Sequence, residues 1–330
     1  MIKAFLKICL CLSLMSANLT YAADTEVMET FADEMAAKHG FNRAQLLNWF
    51  AQAKVLNTVL KLTAPSTNKK GKPRAWYLYR KNFVTQTHID AGVEFWQEHA
   101  ATLQRAERTY GVPASIILAI LGVETIYGRH MGNFRTMDTL VTLGFYHPTR
   151  SEYFRTELEH FLLLARDAGI DPFKIRGSYA GAMGMSQFMP SSYRQFAVDF
   201  DGDGKINLWT NADDAIGSIA NYFRQYGWQP GQTVIVPTRV RPESAKFLAD
   251  LDIKPERSIQ ELRGMGVLYS GNEPEDTLSS VVELEFETGM TYWLAFQNFY
   301  VITRYNHSKR YAMSVYELAQ KISESYAQNN

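Results

Sequence analysis

The chain has 330 residues, enough for a sizeable hydrophobic core and for two or three subdomains. Its hydrophobic fraction of 46% and charged fraction of 21% are those of an ordinary globular protein and exclude wholesale disorder. Lys and Arg together number 34, as do Asp and Glu, so the chain lacks the basic excess expected of a nucleic-acid-binding protein.

The first 22 residues have the pattern of a secretory signal peptide. Lys3 and Lys7 form a positive n-region, residues 8–14 are apolar, and residues 20–22 form a small-residue cleavage site. The apolar run is short for a bilayer-spanning helix. Cleavage would leave 32 basic against 34 acidic side chains, a net charge of −2. We therefore expect an exported protein without a transmembrane segment.

Both cysteines, Cys9 and Cys11, lie within this leader. The mature chain is therefore expected to have no disulfide bond and no thiol chemistry. A lipid-anchored precursor carries small residues directly before its acylated cysteine, whereas Lys7 and Ile8 precede Cys9 here. The sequence thus argues against a lipid anchor.

The region from Asp24 to about Arg108 is predicted to be helical. Asn42 followed three residues later by Gln45 indicates a capping box that opens a helix over 44–55. A further helix is predicted over 89–108.

A helix predicted from Pro113 to Gly128 carries one ionisable side chain, Glu124. Proline suits the first helical turn, and glycine suits a left-handed cap at the end. Because Glu124 shares an apolar face with Ile117 and Ile120, its pKa should be raised, which keeps it protonated near neutral pH as a general acid requires. A structural, hydrogen-bonded glutamate is the alternative, since ion-pair networks also bury carboxylates.

The chain after this helix is predicted to be irregular over 129–142 and helical over 151–168, with Ser151 as the N-cap. Residues 177–193 are then rich in glycine and other small residues, which let backbones approach a ligand closely. Gln187 is the side chain of this segment that could make several polar contacts to a sugar.

Residues 199–204 read Asp-Phe-Asp-Gly-Asp-Gly, which matches a calcium loop of the EF-hand type at positions one, three, five and six. Thr210 occupies position twelve, where the usual residue is Glu, and Asp213 and Asp214 follow. A turn cluster without metal is the alternative. We expect a structural Ca²⁺ site with no catalytic role.

The C-terminal third is predicted to mix strands and helices. β-branched runs bounded by Pro and Gly indicate strands over 233–240 and 281–286. Helices are predicted over 216–226, 242–250, 258–263, 292–301 and from the 303–311 segment to about 326. The strands and the short helices between them form a small α+β insert of about sixty residues.

Four motifs occur in order along the chain, at 123–128, 181–191, 214–222 and 304–308. Together they resemble the membrane-bound lytic murein transglycosylase B family over essentially the whole mature chain. Each motif is weak alone, and their order makes the resemblance specific. The best-known member of that family is a lipoprotein, and this leader lacks the acylated cysteine.

The resemblance implies an α+β, mainly α fold, with a lysozyme-like core, a helical N-terminal domain and a small β-containing insert. The implied divisions are a signal peptide at 1–22, a helical domain at 23–108, the core at 109–230, the insert at 231–290 and returning helices at 291–330. It also implies cleavage of the MurNAc–GlcNAc β-1,4 bond of peptidoglycan with formation of 1,6-anhydromuramoyl ends, in the periplasm.

Carried over residue by residue, the resemblance makes Glu124 the catalytic acid and base. Its implied groove residues are Arg150, Ser178, Gln187, Tyr222 and Tyr305. The implied calcium ligands are Asp199, Asp201, Asp203, Lys205 and Asp214, and a shorter count of the loop would choose Asp213 in place of Asp214. Peptidoglycan glycan strands are the expected partner, and other cell-wall enzymes are further candidates.

The number of carboxylates distinguishes the possible reactions. Hydrolytic glycosidases normally use two, whereas the sequence shows one around Glu124, with Asp138 fourteen residues further on. A single acid suits a reaction in which the muramoyl 6-hydroxyl is the nucleophile. A hydrolytic muramidase and a non-catalytic peptidoglycan-binding protein are the alternatives.

Overall fold

The computed structural model describes residues 25–64 and 75–329. The predicted signal peptide lies outside the described residues. Among these residues no single helix combines the length and apolarity needed to cross a membrane; one pair of helices, Ala100–Tyr110 and Ala114–Thr125, bent by 114°, passes by length and composition alone.

The described chain forms two compact units. The first contains residues 25–64, 132–183 and 188–194, and the second contains 75–131, 184–187 and 195–329. The five-part division expected from the sequence stays a prediction. The mainly helical α+β class is confirmed, since fifteen α-helices and six strands occur in the described residues.

The first unit is built from six helices and a two-stranded pair. Its helices are α1 (25–39), α2 (Arg43–Gln52), α3 (Asn57–Thr63), α8 (Thr136–Tyr146), α9 (Ser151–Asp167) and α10 (Pro190–Phe196), whose last two residues belong to the second unit. Strands β1 (Phe134–Arg135) and β2 (Arg176–Gly177) are antiparallel. Phe31, Phe50 and Phe145 form an aromatic core with ring centroids 5.5–5.9 Å apart.

The second unit contains the remaining helices and a four-stranded sheet. The helices are α4 (Trp76–Arg80), α5 (Gln86–Glu98), α6 (Ala100–Tyr110), α7 (Ala114–Thr125), α11 (Ala212–Gln225), α12 (Ala245–Ala249), α13 (Ile259–Gly264), α14 (Gln297–Tyr305) and α15 (Lys309–Gln328). A short 3₁₀ helix, Pro242–Ser244, precedes α12.

Helix α7 is the centre of the second unit. Helices α5, α6, α11 and α15 all pack against it, and residues 116–122 are buried on every face. A helix that is apolar all round is stable only inside a core. The surrounding helices therefore fix the position of Glu124, which lies in the last turn of α7.

The sheet is antiparallel, with the order β3-β6-β5-β4. Its strands are β3 (Ile235–Thr238), β4 (Arg257–Ser258), β5 (Leu278–Phe286) and β6 (Gly289–Ala295). Val281 and Leu294 are register partners whose side chains enter a cluster with Leu248 and Leu262. The α+β character expected for this region is thus present.

Three element predictions were wrong. The helix predicted over 89–108 is two helices that meet at His99, whose backbone leaves the helical region at φ −112° and ψ 23°, and no Gly or Pro marks this break in the sequence. The region 129–142 is not wholly irregular, because α8 begins at Thr136; nearly every side chain of α8 is buried, which hides the helical period. The helix predicted from Tyr292 begins only at Gln297, because Tyr292 pairs with Glu283 in the β5–β6 hairpin.

Candidate active site

Glu124 combines restricted solvent access with one hydrogen-bond partner in the part of the chain that the structure describes. Its residue is half-buried, and its Oε1 accepts a hydrogen bond of 2.6 Å from the phenol of Tyr311 on α15. Burial raises the pKa of Glu124 to about 7, and the Tyr311 hydrogen bond opposes that rise. Among the described residues no second carboxylate contributes to this shift. The group can therefore both hold and release a proton near neutral pH.

The other carboxylates that are withdrawn from solvent have a different environment. In the first unit, Asp138 accepts two bonds from Arg135, of 2.7 and 2.8 Å, and one from the Lys54 backbone. Glu157 accepts from the backbone and the hydroxyl of Ser191. These arrangements are what structural carboxylates need. Among the described residues, a phenol is the hydrogen-bond donor to Glu124, and no cation or backbone N–H donates to it. This environment favours a chemical role over a structural one.

Tyr311 is a functional candidate that the sequence reasoning did not select. It is almost fully buried, in the first turn of α15, on the face that continues to the buried Val315 and Leu318. That spacing was readable in the sequence, and a buried tyrosine hydroxyl usually needs a hydrogen-bond partner. Only the three-dimensional structure shows that this partner is Glu124.

Two of the predicted groove tyrosines lie together in the second unit. The hydroxyl of Tyr305 donates to the Ser186 carbonyl at 2.5 Å, and that of Tyr222 donates to the Arg304 carbonyl at 2.7 Å. Their ring centroids are 4.8 Å apart. Burial raises the pKa of both phenols, and the Glu124 charge adds to the rise at Tyr305. Both phenols therefore stay neutral at physiological pH; Tyr305 is half-buried near the acid, and Tyr222 is buried behind it.

The backbone directly after Glu124 takes an unusual course. Ile126 and Tyr127 have φ angles of 50° and 56°, in the left-handed region that disfavours residues with a side chain. The prediction that Gly128 caps the helix was wrong, because Ile126 is the residue that ends it. Thr125 braces the turn: its hydroxyl donates to the Met185 carbonyl and accepts from the Gly128 backbone, both at 2.9 Å.

Gln187 belongs to the same unit and also has a positive φ, 50°. Its Nε2 donates to the carbonyls of Met131 and Gly184, at 3.2 and 2.9 Å. The amide nitrogen therefore holds the backbone in place. The side-chain carbonyl is the end of Gln187 suited to accept a bond from a sugar hydroxyl.

Ser178 and Arg150 lie in the first unit. The Ser178 hydroxyl accepts from the backbones of Ala180 and Ala182, at 3.2 and 3.0 Å, and so shapes the glycine-rich turn. Arg150 is exposed, and its guanidinium lies 4.6 Å from the ring centroid of Tyr153. The predicted groove residues are thus divided between the units, with Tyr222, Tyr305 and Gln187 in the unit of Glu124.

The calcium-type loop brings three carboxylates close together. One carboxylate oxygen from each of Asp199, Asp201 and Asp203 lies within 4.8 Å of the others. Asp199 also accepts from the backbones of Gly202 and Gly204, at 2.7 and 2.8 Å. A cluster of hard oxygen donors on a preformed loop is the donor set that Ca²⁺ prefers, so these residues fit the ion.

Asp214 and Asp213 point to different elements. The two oxygens of Asp214 accept from the loop backbones of Phe200 and Asn207, both at 2.8 Å. Asp213 instead accepts from Thr102 on α6. Asp214 is therefore the acid that belongs to the loop, although it lies outside the cluster of three carboxylates. Lys205 donates its backbone N–H to Asp203, and its place among the ligands stays a prediction.

A family model described as "Transglycosylase SLT domain" matches residues 23–320. The chain belongs to this family. The membrane-bound lytic murein transglycosylase B of Escherichia coli strain K12 is 47% identical over 301 residues, which cover 89% of this chain and 82% of that protein. The resemblance drawn from the four motifs is thereby confirmed.

Solved structures of other transglycosylases show the same fold. The soluble lytic transglycosylase SltB1 of Pseudomonas aeruginosa has a TM-score of 0.84 at 44% identity, covering 90% of this chain and 98% of that one. The Escherichia coli lytic transglycosylase Slt35 in complex with calcium has a TM-score of 0.80 at 45% identity, covering 91% and 93%. The fold class expected from the sequence therefore agrees with both.

Proposed function

We propose that this protein is a lytic transglycosylase that cleaves the MurNAc–GlcNAc β-1,4 bond of peptidoglycan and leaves a 1,6-anhydromuramoyl end. The observation that carries the proposal is Glu124, a half-buried carboxyl with a pKa of about 7 and one phenol as its partner among the described residues. Membership of the SLT family and the similarity to a lytic murein transglycosylase support the choice of substrate.

In the first step, the protonated Glu124 donates its proton to the glycosidic oxygen as the bond from that oxygen to the anomeric carbon breaks. A carboxyl with a pKa near neutrality suits proton transfer in both directions. Tyr311 then donates its hydrogen bond to a full carboxylate, which strengthens that bond as the charge forms.

In the second step, the 6-hydroxyl of the same muramoyl residue attacks the anomeric carbon, and its proton passes to the Glu124 carboxylate. The acid is regenerated, and no water enters the product. Because the nucleophile belongs to the substrate, its high effective concentration replaces a second catalytic carboxylate.

The remaining site residues bind and orient the glycan in this account. The half-buried ring of Tyr305 provides a stacking surface, and the buried Tyr222 supports it from behind through their ring contact. The side-chain carbonyl of Gln187 accepts from a sugar hydroxyl. We assign Ser178 the role of shaping its turn, and Arg150 that of attracting negative charge on the glycan strand. Other cell-wall enzymes stay candidate partners.

The account includes a structural Ca²⁺ ion and export. Asp199, Asp201 and Asp203 would hold the ion, with Asp214 securing the loop; bound there, it neutralises the loop's negative charge and fixes its fold. The similarity to a calcium-bound transglycosylase supports this assignment. The secretory pattern of the leader would deliver the protein to the periplasm, where peptidoglycan lies.

Replacement of Glu124 by Gln tests the catalytic assignment. Glu124→Gln should lose nearly all release of soluble muropeptides from sacculi, because an amide cannot transfer the proton. The Glu157→Gln variant is the matched control: it removes another buried glutamate and should retain chemistry if it folds. Substantial turnover by Glu124→Gln would refute the assignment.

The fold of the Glu124→Gln variant is checked by its melting temperature. A carboxyl whose folded pKa is raised from 4.5 to about 7 destabilises the fold increasingly as pH rises from 4.5 to 7, and fully above it. At pH 8 the amide should therefore be more stable than wild type, by about 1–3 kcal/mol.

A further inference from the structure

A cationic pocket lies in the same unit as Glu124, between the segment that joins α12 to β4 and the junction of α14 and α15. It has a volume of about 440 Å³ and is lined by Asp252, Ile253, Lys254, Tyr300, Thr303, Arg304, His307, Ser308 and Lys309. Three of the lining side chains carry a permanent positive charge and one is a carboxylate. The pocket therefore favours an anion.

The guanidinium of Arg304 is only partly satisfied inside the protein. Its carbon lies 4.2 Å from the ring centroid of Tyr300, and its Nη2 donates to Thr303 at 3.0 Å. Its buried Nε has no hydrogen-bond partner among the described residues. A buried donor without a partner is costly, and a bound acceptor would satisfy it.

The other charges in the pocket are weakly held. Lys309 makes a long bond of 3.4 Å to the Ala249 carbonyl, and Lys254 pairs with Glu256 while remaining 55% exposed. The Asp252 carboxylate accepts from the Lys254 backbone. Both lysines can therefore turn to a ligand without breaking a buried ion pair.

The pocket is tied to the proposed active site through two short stretches of chain. Arg304 precedes Tyr305, and its carbonyl holds the hydroxyl of Tyr222. Lys309 lies two residues before Tyr311, which holds Glu124. An anion in the pocket would thus be bound by residues that are close in the chain to Tyr305 and to Tyr311, the partner of Glu124.

We propose that this pocket binds a carboxylate of the peptide attached to the muramoyl residue, so that the enzyme reads the peptide as well as the glycan. The inference rests on the proposed function, because it takes peptidoglycan as the substrate. In peptidoglycan, the glycan bears its carboxylates on these peptides, and Arg and Lys donors are the groups that recognise them.

Binding by the inactive Glu124→Gln protein tests the inference without relying on turnover. The ligands are soluble glycan strands with their peptides and the same strands after amidase has removed them. In that background, Lys254→Gln combined with Lys309→Gln should weaken Kd for the peptide-bearing strands about tenfold more than Kd for the stripped strands. Lys321→Gln, at an exposed ion pair on α15, should leave the ratio of the two Kd values at the parent value.

Other outcomes overturn the inference. Equal weakening for both strands leaves the ratio unchanged and would mean a structural or general electrostatic effect, or binding of the lactyl carboxylate that amidase uncovers, rather than of the peptide. Unchanged Kd values for both strands would mean that the pocket binds neither. If the double variant fails to fold, Lys254→Gln alone, at an exposed position, should still raise the ratio of the peptide-bearing Kd to the stripped Kd, and an unchanged ratio there also overturns the inference. If wild-type digests contain anhydro ends, the proposed function stands even where these binding results overturn the peptide pocket.

Discussion

At the scale of single residues, the environment of a carboxylate distinguishes its role. The Asp138 carboxylate accepts hydrogen bonds from an arginine, and that of Glu157 accepts them from the hydroxyl and backbone of a serine. Glu124 accepts one hydrogen bond, from a phenol, among the described residues. The first two accept several hydrogen bonds from fixed donors, whereas burial raises the pKa of the third to about 7, so that near neutral pH it populates both protonation states. A pKa near neutrality does not help a structural carboxylate, whereas a group that both donates and accepts a proton needs it.

Tyr311 sets this balance, and its removal should move the pH profile. The phenol stabilises the Glu124 carboxylate and so opposes the effect of burial on its pKa. In wild type, kcat/KM should fall as pH rises through about 7, because the acid becomes ionised. In Tyr311→Phe that alkaline limb should shift upward by about one pH unit, since the carboxylate has lost its donor.

The Tyr316→Phe variant is the control, because this tyrosine lies on the same helix and makes no hydrogen bond to Glu124 among those described. Its profile should match wild type. A limb that stays in place or moves down in Tyr311→Phe would show that the phenol does not stabilise the carboxylate.

At the scale of elements, predictable local rules specify much of the fold and tertiary packing specifies the rest. The helical period predicts the position of α9 correctly, but the prediction of Ser151 as its N-cap was wrong, because Arg150 is the N-cap and makes no side-chain cap bond. Ser258 forms a capping box with Glu261 at the start of α13. The end of α7 is different. Ile126 adopts a left-handed conformation because Thr125 and Met185 hold the turn, and the bond between them joins residues sixty positions apart. No local signal predicts such a bond.

The Thr125 brace should be necessary for both stability and activity. Thr125→Val keeps the shape of the side chain and removes the hydroxyl's hydrogen bonds to Met185 and Gly128, together with a longer one to Leu121, so we expect a loss of about 1–3 kcal/mol in the free energy of unfolding. Since Glu124 is the neighbouring residue, kcat/KM should also fall. Thr125→Ser keeps the hydroxyl and should retain more of both; a Val variant equal to wild type in denaturant melts and turnover would contradict the role.

At the scale of the whole molecule, sequence reasoning selected a candidate acid and a candidate calcium loop but could not identify the partners of their side chains. Glu124 and the Asp199–Asp203 pattern were readable because each is local in the chain. Tyr311 was missed because 187 residues separate it from Glu124. The choice between Asp213 and Asp214 was open for the same reason: it depends on whether a side chain faces α6 or the loop.

The calcium loop should contribute to the stability of the whole chain. A ligand that binds only the folded state stabilises it by about 2.7 kcal/mol at one hundred times its Kd. Chelation should therefore lower the Tm by several degrees, and added Ca²⁺ should restore it. Asp201→Asn should lose this response, and Asp213→Asn should retain it because its carboxylate faces Thr102. A Tm that ignores both chelator and Ca²⁺ would contradict a structural metal.

The identity of the reaction products tests the central claim most directly. Sacculi digested in heavy-oxygen water, with the fragments weighed by mass spectrometry, distinguish attack by the muramoyl 6-hydroxyl from attack by water. We expect fragments that end in 1,6-anhydromuramic acid, lighter by one water than the hydrolysis products and free of the heavy oxygen. Reducing ends that carry the heavy oxygen would contradict the account and show a hydrolase.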